Sequence, residues 1–146
     1  MLDRGRPQVI VVDASLFVAW ILNEPDHGPA EQIWDLLASD TLFVPCRWPD
    51  EVASSLLKAV KSGRIAASEL DAIQERIATF DYGFAEPTTI DSITELTRGA
   101  NSASLSVYDM TYLVAARDHG VPLATVDQAM RRAAAAMNIR LLPAAT

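Results

Sequence analysis

The 146-residue chain predicts one α/β domain, a parallel sheet of four or five strands with helices on both faces. Three observations predict it. Short apolar or β-branched runs alternate with longer stretches of helical period. Turn residues separate nearly every pair, and no repeat, linker or low-complexity tail interrupts the series. Four acids, Asp13, Glu51, Asp109 and Asp127, each stand where a strand ends or a helix begins. In a parallel α/β fold such boundaries gather at one edge of the sheet.

The elements follow in order. Gln8 to Val12 reads as a buried strand and Ala14 to Leu22 as a short helix, ended by an Asn23-Glu24-Pro25 turn. Pro29 suits the first position of a helix running to about Ala38. Thr41 to Val44 is a strand closed by Pro45. Pro49 opens a long helix to about Lys61, with Val52, Leu56, Leu57 and Val60 on one stripe, and Gly63 stops it. Ser68 with Asp71 resembles a capping box for a helix to about Thr79, although Asp replaces the usual Glu or Gln. Tyr82 to Glu86 is a short strand before Pro87, followed by a helix over about Thr88 to Thr97. Arg98 to Ala103, small and polar, reads as a loop. Ser106 with Asp109 caps a helix that ends at Asp118-His119-Gly120. Val121 to Thr125 is a strand, Gln128 to Met137 an Ala-rich helix, and Ile139 to Leu142 a last strand.

The length suits a single domain, residues 1–146, with a sizeable core. Half the residues are apolar and 21% are charged, the profile of a soluble globular protein. Val9 to Val12 is too short for a signal peptide or a membrane span, so a cytoplasmic protein without a membrane partner is expected. Cys46 is the one cysteine; with no Cys or His at zinc spacing it is expected to be buried and structural. A net charge of −7 and a pI near 4.7 argue against nucleic-acid affinity through bulk charge. They do not exclude a nucleic-acid enzyme, because bound divalent ions would cancel several of those charges locally.

Carboxylates brought together need such an ion. Two of them about 5 Å apart at an effective dielectric near 20 repel by roughly 3 kcal/mol. The helix dipole returns at most about 1 kcal/mol to an acid in a first turn. Four converging acids therefore take up protons or hold a cation. Oxygen-only ligands favour Mg²⁺, with Mn²⁺ as a substitute, over Zn²⁺. Acids in first turns are also ordinary, so spacing alone leaves the convergence open.

The residues around the acids carry a resemblance. Val11-Val12-Asp13-Ala14-Ser15 resembles the opening of a PIN domain, and Pro49-Asp50-Glu51-Val52-Ala53 looks like its second acidic motif. Ser106-Val107-Tyr108-Asp109-Met110-Thr111-Tyr112 is similar to the third, and Leu123-Ala124-Thr125-Val126-Asp127 to the fourth. The likeness covers nearly the whole chain, in order and spacing, and is nearest to compact VapC-type toxins of toxin–antitoxin pairs.

The resemblance implies a Mg²⁺-dependent endoribonuclease, with Asp13, Glu51, Asp109 and Asp127 as catalytic and metal-holding residues. Metal-activated water would hydrolyse the phosphodiester, leaving a 5′-phosphate and a 3′-hydroxyl. It also implies an RNA substrate, a cognate antitoxin protein and a homodimer. The partner would seat on the helix pair Glu51 to Val60 and Leu70 to Phe80. The family often has an Asn one turn after the motif Glu, where this chain has Ser54 or Ser55. Ser15 either matches the motif's polar residue or caps the first helix. Thr125 either orients Asp127 or is a plain strand residue. Lys58, Lys61, Arg131 and Arg132 are candidate phosphate contacts, or else solvated helix faces. Trp20, Trp34 and Trp48 either line a partner groove or pack the core. His27 and His119 are expected to be structural or solvated, since no general-base His is needed.

Other classes fit less well. A receiver-like phosphoacceptor domain would pair acids at the first strand and place a Lys after the last. A dehalogenase-type phosphatase would need Asp at residue 15, which is Ser. A catalytically inactive PIN-fold module that only binds RNA or protein is the remaining alternative.

Overall fold

The computed structural model of the chain describes residues 8–22 and 41–144. The expected turn at 23–25 and helix at 29–38, with His27 and Trp34, lie outside the described residues.

Strands β1 (Val9–Val12), β2 (Thr41–Val44), β3 (Asp81–Phe84), β4 (Leu123–Ala124) and β5 (Leu141–Leu142) form one sheet in the order β3-β2-β1-β4-β5. Every pairing is parallel. Six α-helices flank it among the described residues: α1 (Ala14–Ile21), α2 (Trp48–Lys61), α3 (Leu70–Ile77), α4 (Ile93–Ala103), α5 (Val107–His119) and α6 (Gln128–Ala136). Helix α1 packs against α2 and α3, while α5 packs against α4, α6 and the strands β1, β2 and β4. The order grows leftward from β1 and then restarts to its right at β4. Right-handed crossovers in opposite directions put the two helix groups on opposite faces.

The central strands are therefore covered twice. Ile10, Val11, Val12, Leu42, Val44, Leu123 and Ala124 are all sealed from solvent, which explains their continuous apolar runs. An aromatic group fills the space under α1: the Phe17 ring meets Trp48 edge-on at 4.8 Å and Phe80 at 5.6 Å. Trp20 joins it against Phe80, partly buried. The indole N–H of Trp48 donates to the Val12 carbonyl at 2.9 Å. That bond pins the start of α2 to the end of β1.

Several expectations need correction. Arg98 to Ala103 is not a loop but the second half of α4, which begins at Ile93 after a 3-10 turn at Ile90–Ser92. The small residues serve packing: a Cβ on Gly99 would lie 3.0 Å from the Met110 methyl, and Ala100 is buried. Ser104, left-handed at φ 55°, ends the helix. The capping box at Ser68 and Asp71 does not form. Instead Glu69 accepts from the Ala66 N–H at 2.7 Å over a 3-10 turn, Ala67–Glu69, ahead of α3. Leu57 leaves the α2 stripe and is half exposed; it lies five residues after Val52, about 140° round the helix. Cys46 is exposed rather than buried, with its Sγ 2.9 Å from the Ala85 carbonyl. The strands at residues 121–125 and 139–142 shorten to two paired residues each. Gly63 and Gly120 do end their helices, both at positive φ.

Candidate active site

The strand order reverses between β1 and β4, and the crevice beyond the carboxyl ends of these two strands is where open α/β sheets bind ligands. The register pairs Val12 with Ala124, so Asp13 and Thr125 leave the sheet side by side. The Asp13 N–H donates to the Ala124 carbonyl at 2.9 Å, and the Thr125 hydroxyl donates to Asp13 Oδ2 at 2.8 Å. The same hydroxyl oxygen accepts the Asp127 N–H at 3.1 Å. Thr125 thus ties two of the expected acids together, and it is wholly buried. Asp13 also caps α1: its Oδ1 accepts the Ser15 N–H at 3.2 Å.

Glu51 arrives on the first turn of α2, next to the Trp48 anchor. Asp109 arrives on the first turn of α5, where its N–H donates to the Ser106 hydroxyl at 3.0 Å. Asp127 caps α6, its Oδ1 accepting the Met130 N–H at 2.9 Å. All four acids therefore reach one edge of the sheet.

Asp13, Glu51 and Asp109 are raised in pKa, first by burial and then by neighbouring charges. Burial raises the Asp13 pKa above its ordinary 3.8, the bonds from Thr125 and Ser15 oppose this, and the Asp109 charge adds to it. Burial also raises Glu51; Tyr112 and, more weakly, Arg47 pull it back, while Asp13 and Asp109 push it up. Asp109 is raised by burial and by the Asp127 charge, against the Ser106 bond. Among the described residues no cation acts on Asp13, although only 8% of it meets solvent.

Tyr112 carries a role that motif reading did not assign. The Tyr112 hydroxyl donates to Glu51 Oε2 at 2.5 Å and accepts the Ala14 N–H at 3.3 Å. It joins the helix that carries Glu51 to the residue after Asp13. Burial and the Glu51 carboxylate hold its own pKa far above the ordinary 10. Its place three residues after Asp109, on the same helix face, was the available signal.

Other expected contributors fall differently. Ser15 does not cap α1: Asp13 does, accepting the Ser15 N–H, and the Ser15 side chain in turn lowers the Asp13 pKa. Ser54 is exposed, and among the described residues no hydrogen bond ties it to the acids. Lys58, Lys61 and Arg132 are exposed. Arg131 has another duty: its two terminal nitrogens donate to the carbonyls of Thr125 at 2.9 Å and Pro143 at 2.8 Å. It braces the turn that carries Asp127. His119 is exposed at the end of α5 with its ring 4.2 Å from that of Phe43.

Among the described residues no three Asp, Glu, His or Cys side chains are gathered tightly enough to form a ready cation cage. The acids are instead linked pairwise by charge: Asp13 with Glu51 and Asp109, Glu51 with Asp109, and Asp109 with Asp127. The donor set nevertheless fits a hard divalent cation. It is all oxygen, and one member is a buried carboxylate without a counter-charge among the described residues.

The PIN domain family profile matches residues 10–136, which include all four acids. The chain belongs to the PIN domain family. PIN domains are generally nucleases and usually use divalent metals. Among solved structures the chain resembles PAE2754 from Pyrobaculum aerophilum. The identity is 20%, over 87% of this chain and 79% of that one, with a TM-score of 0.60, a likeness of fold. No curated protein matches the chain. No helix among the described residues is long and apolar enough to cross a membrane.

Proposed function

We propose that this chain is a Mg²⁺-dependent endoribonuclease, the toxin of a VapC-type toxin–antitoxin pair. The observation that carries the nucleolytic part is the Asp13 carboxylate. It is buried, oriented by Thr125, without a compensating cation among the described residues, and within electrostatic reach of Glu51 and Asp109. An anion in that position is stable when a cation shares it.

Asp13, Glu51, Asp109 and Asp127 would hold the ion, with Mn²⁺ able to replace Mg²⁺. When bound, the ion supplies a more acidic water and a counter-charge for the phosphate. The chain's own residues do the positioning. Thr125 fixes the rotamer of Asp13, Tyr112 fixes Glu51, and the Ser106 cap starts α5 so that Asp109 faces the crevice. Lys58, Lys61 and Arg132 remain the exposed candidates for contacts to flanking phosphates.

The toxin assignment rests on resemblance in length and motif order. The antitoxin would seat on the α2–α3 face, where Leu57 is half exposed. A basic antitoxin side chain would also suit the acid ring, and a homodimer and a cytoplasmic location follow from the same likeness.

The test is cleavage of RNA by purified protein with Mg²⁺ or Mn²⁺, with EDTA, and by the Asp109→Asn variant. Metal-dependent cleavage lost in the variant supports the reading. Metal binding without cleavage of any RNA would leave a PIN-fold binding module instead.

A further inference from the structure

Beside the acids stands an exposed pair that neither the fold nor the proposed hydrolysis uses. The Arg47 guanidinium carbon lies 4.6 Å from the centroid of the Tyr108 ring. Arg47 precedes Glu51 by one helical turn, so the two share a face of the α2 start. Tyr108 directly precedes Asp109 at the start of α5, and half of it is exposed. Each member of the pair is therefore held by a backbone segment that also carries one of the acids.

Arg47 makes no ion pair among the described residues, although Glu51 is near enough to feel its charge. Its guanidinium lies over an aromatic face instead. Exposed aromatic rings and planar guanidinium groups are the surfaces on which nucleobases stack, without regard to base identity. A positive charge at the rim of an acidic ring also offsets the repulsion that an incoming phosphodiester would meet.

We infer that Arg47 and Tyr108 form a stacking shelf that seats one unpaired nucleotide of the substrate beside the carboxylate ring. The inference rests on the nucleolytic reading above and adds to it the two residues that seat the nucleotide. Bases in a duplex have their faces covered by neighbours and cannot reach a shelf of this kind.

The experiment has two arms. In the first, wild-type protein with Mg²⁺ is given a mixed-sequence single-stranded RNA and the same sequence as a duplex, and cleavage is followed. In the second, binding of the fluorescently labelled single strand is measured by anisotropy with Ca²⁺ in place of Mg²⁺, for wild type, Tyr108→Ala, Tyr108→Phe and Arg47→Ala. Both residues are exposed, so the variants should keep the wild-type circular dichroism spectrum. The expected results are preference for the single strand and binding weakened about tenfold or more by Tyr108→Ala. Tyr108→Phe, which keeps the ring, should stay within about twofold of wild type. Arg47→Ala should weaken binding and flatten its salt dependence by about one unit of slope. Wild-type cleavage together with unaltered binding by Tyr108→Ala and Arg47→Ala overturns the shelf alone. An equal loss in Tyr108→Phe and Tyr108→Ala also overturns it, because the ring would not be the contact. A wild type that cleaves no RNA overturns the nucleolytic reading, and the shelf with it.

Discussion

Asp13 and Asp127 are joined through a single hydroxyl, yet they live in opposite surroundings. Asp13 ends a central strand; it is buried and its carboxylate is held by Thr125 and the Ser15 N–H. Asp127 begins a surface helix, exposed, with a capping bond to Met130 as its tether. Glu51 and Asp109 lie between these extremes, on helix first turns and partly buried. The strand side of the site is buried, and the helix side is more open to solvent. The cost of crowding the charges falls mainly on the buried member, because desolvation penalises that charge most.

The comparison can be broken from the strand side first. Asp13→Asn keeps the shape and removes the fixed charge; cleavage of RNA should fall about 100-fold or more, while Asp127→Asn should cost less. Equal losses, read from cleavage rates side by side, would erase the distinction between the two halves. Thr125→Val comes next. It deletes both the donor to Asp13 and the acceptor for the Asp127 N–H, and should weaken Mn²⁺ affinity by about 10- to 100-fold with little change in overall fold. Tyr112→Phe acts on the helix side by freeing Glu51 and leaving the Ala14 N–H unpaired. A loss of about tenfold in metal affinity and about 1 kcal/mol in stability is expected, from Mn²⁺ titration and urea unfolding.

The smallest effect is on pH dependence. The folded pKa values of Asp13, Glu51 and Asp109 are raised, so the folded metal-free protein binds more protons than the unfolded chain in the window above their ordinary values near 3.8 and 4.5. Stability from these groups is therefore lost as pH rises through that window. Thermal midpoints of the metal-free protein should drop on going from mildly acidic to neutral pH, and saturating Mg²⁺ should remove the drop. Asp13→Asn should also remove much of it. A midpoint that rises over this range in wild type and variant alike would contradict the uncompensated-charge account.

The sequence carried the layout of the fold because each signal is local. Strands announce themselves as apolar runs and helices by their first-turn caps; Ser106, Asp127 and Gly120 do in space what their neighbours in sequence imply. What stayed hidden depends on register or on contacts between distant segments. Thr125 reaches Asp13 only because Val12 pairs with Ala124. Tyr112 meets Glu51 across 61 residues of chain, and Trp48 reaches Val12 across 36. Arg131 looked like a free cation because no local pattern reveals two carbonyls waiting for it. The Arg98 to Ala103 stretch reads as a loop because small residues signal both turns and close helix packing, and Met110 decides between them from another helix.

The most direct test of the central claim is a titration of the metal-free protein with Mn²⁺, followed by electron paramagnetic resonance of the free ion, for wild type and Asp13→Asn. The account predicts saturable binding by wild type, competition by Mg²⁺, and loss of most of that affinity in the variant. Wild-type protein that leaves Mn²⁺ free, or an Asp13→Asn variant that binds it equally well, would mean that the buried carboxylate is not there to hold a cation.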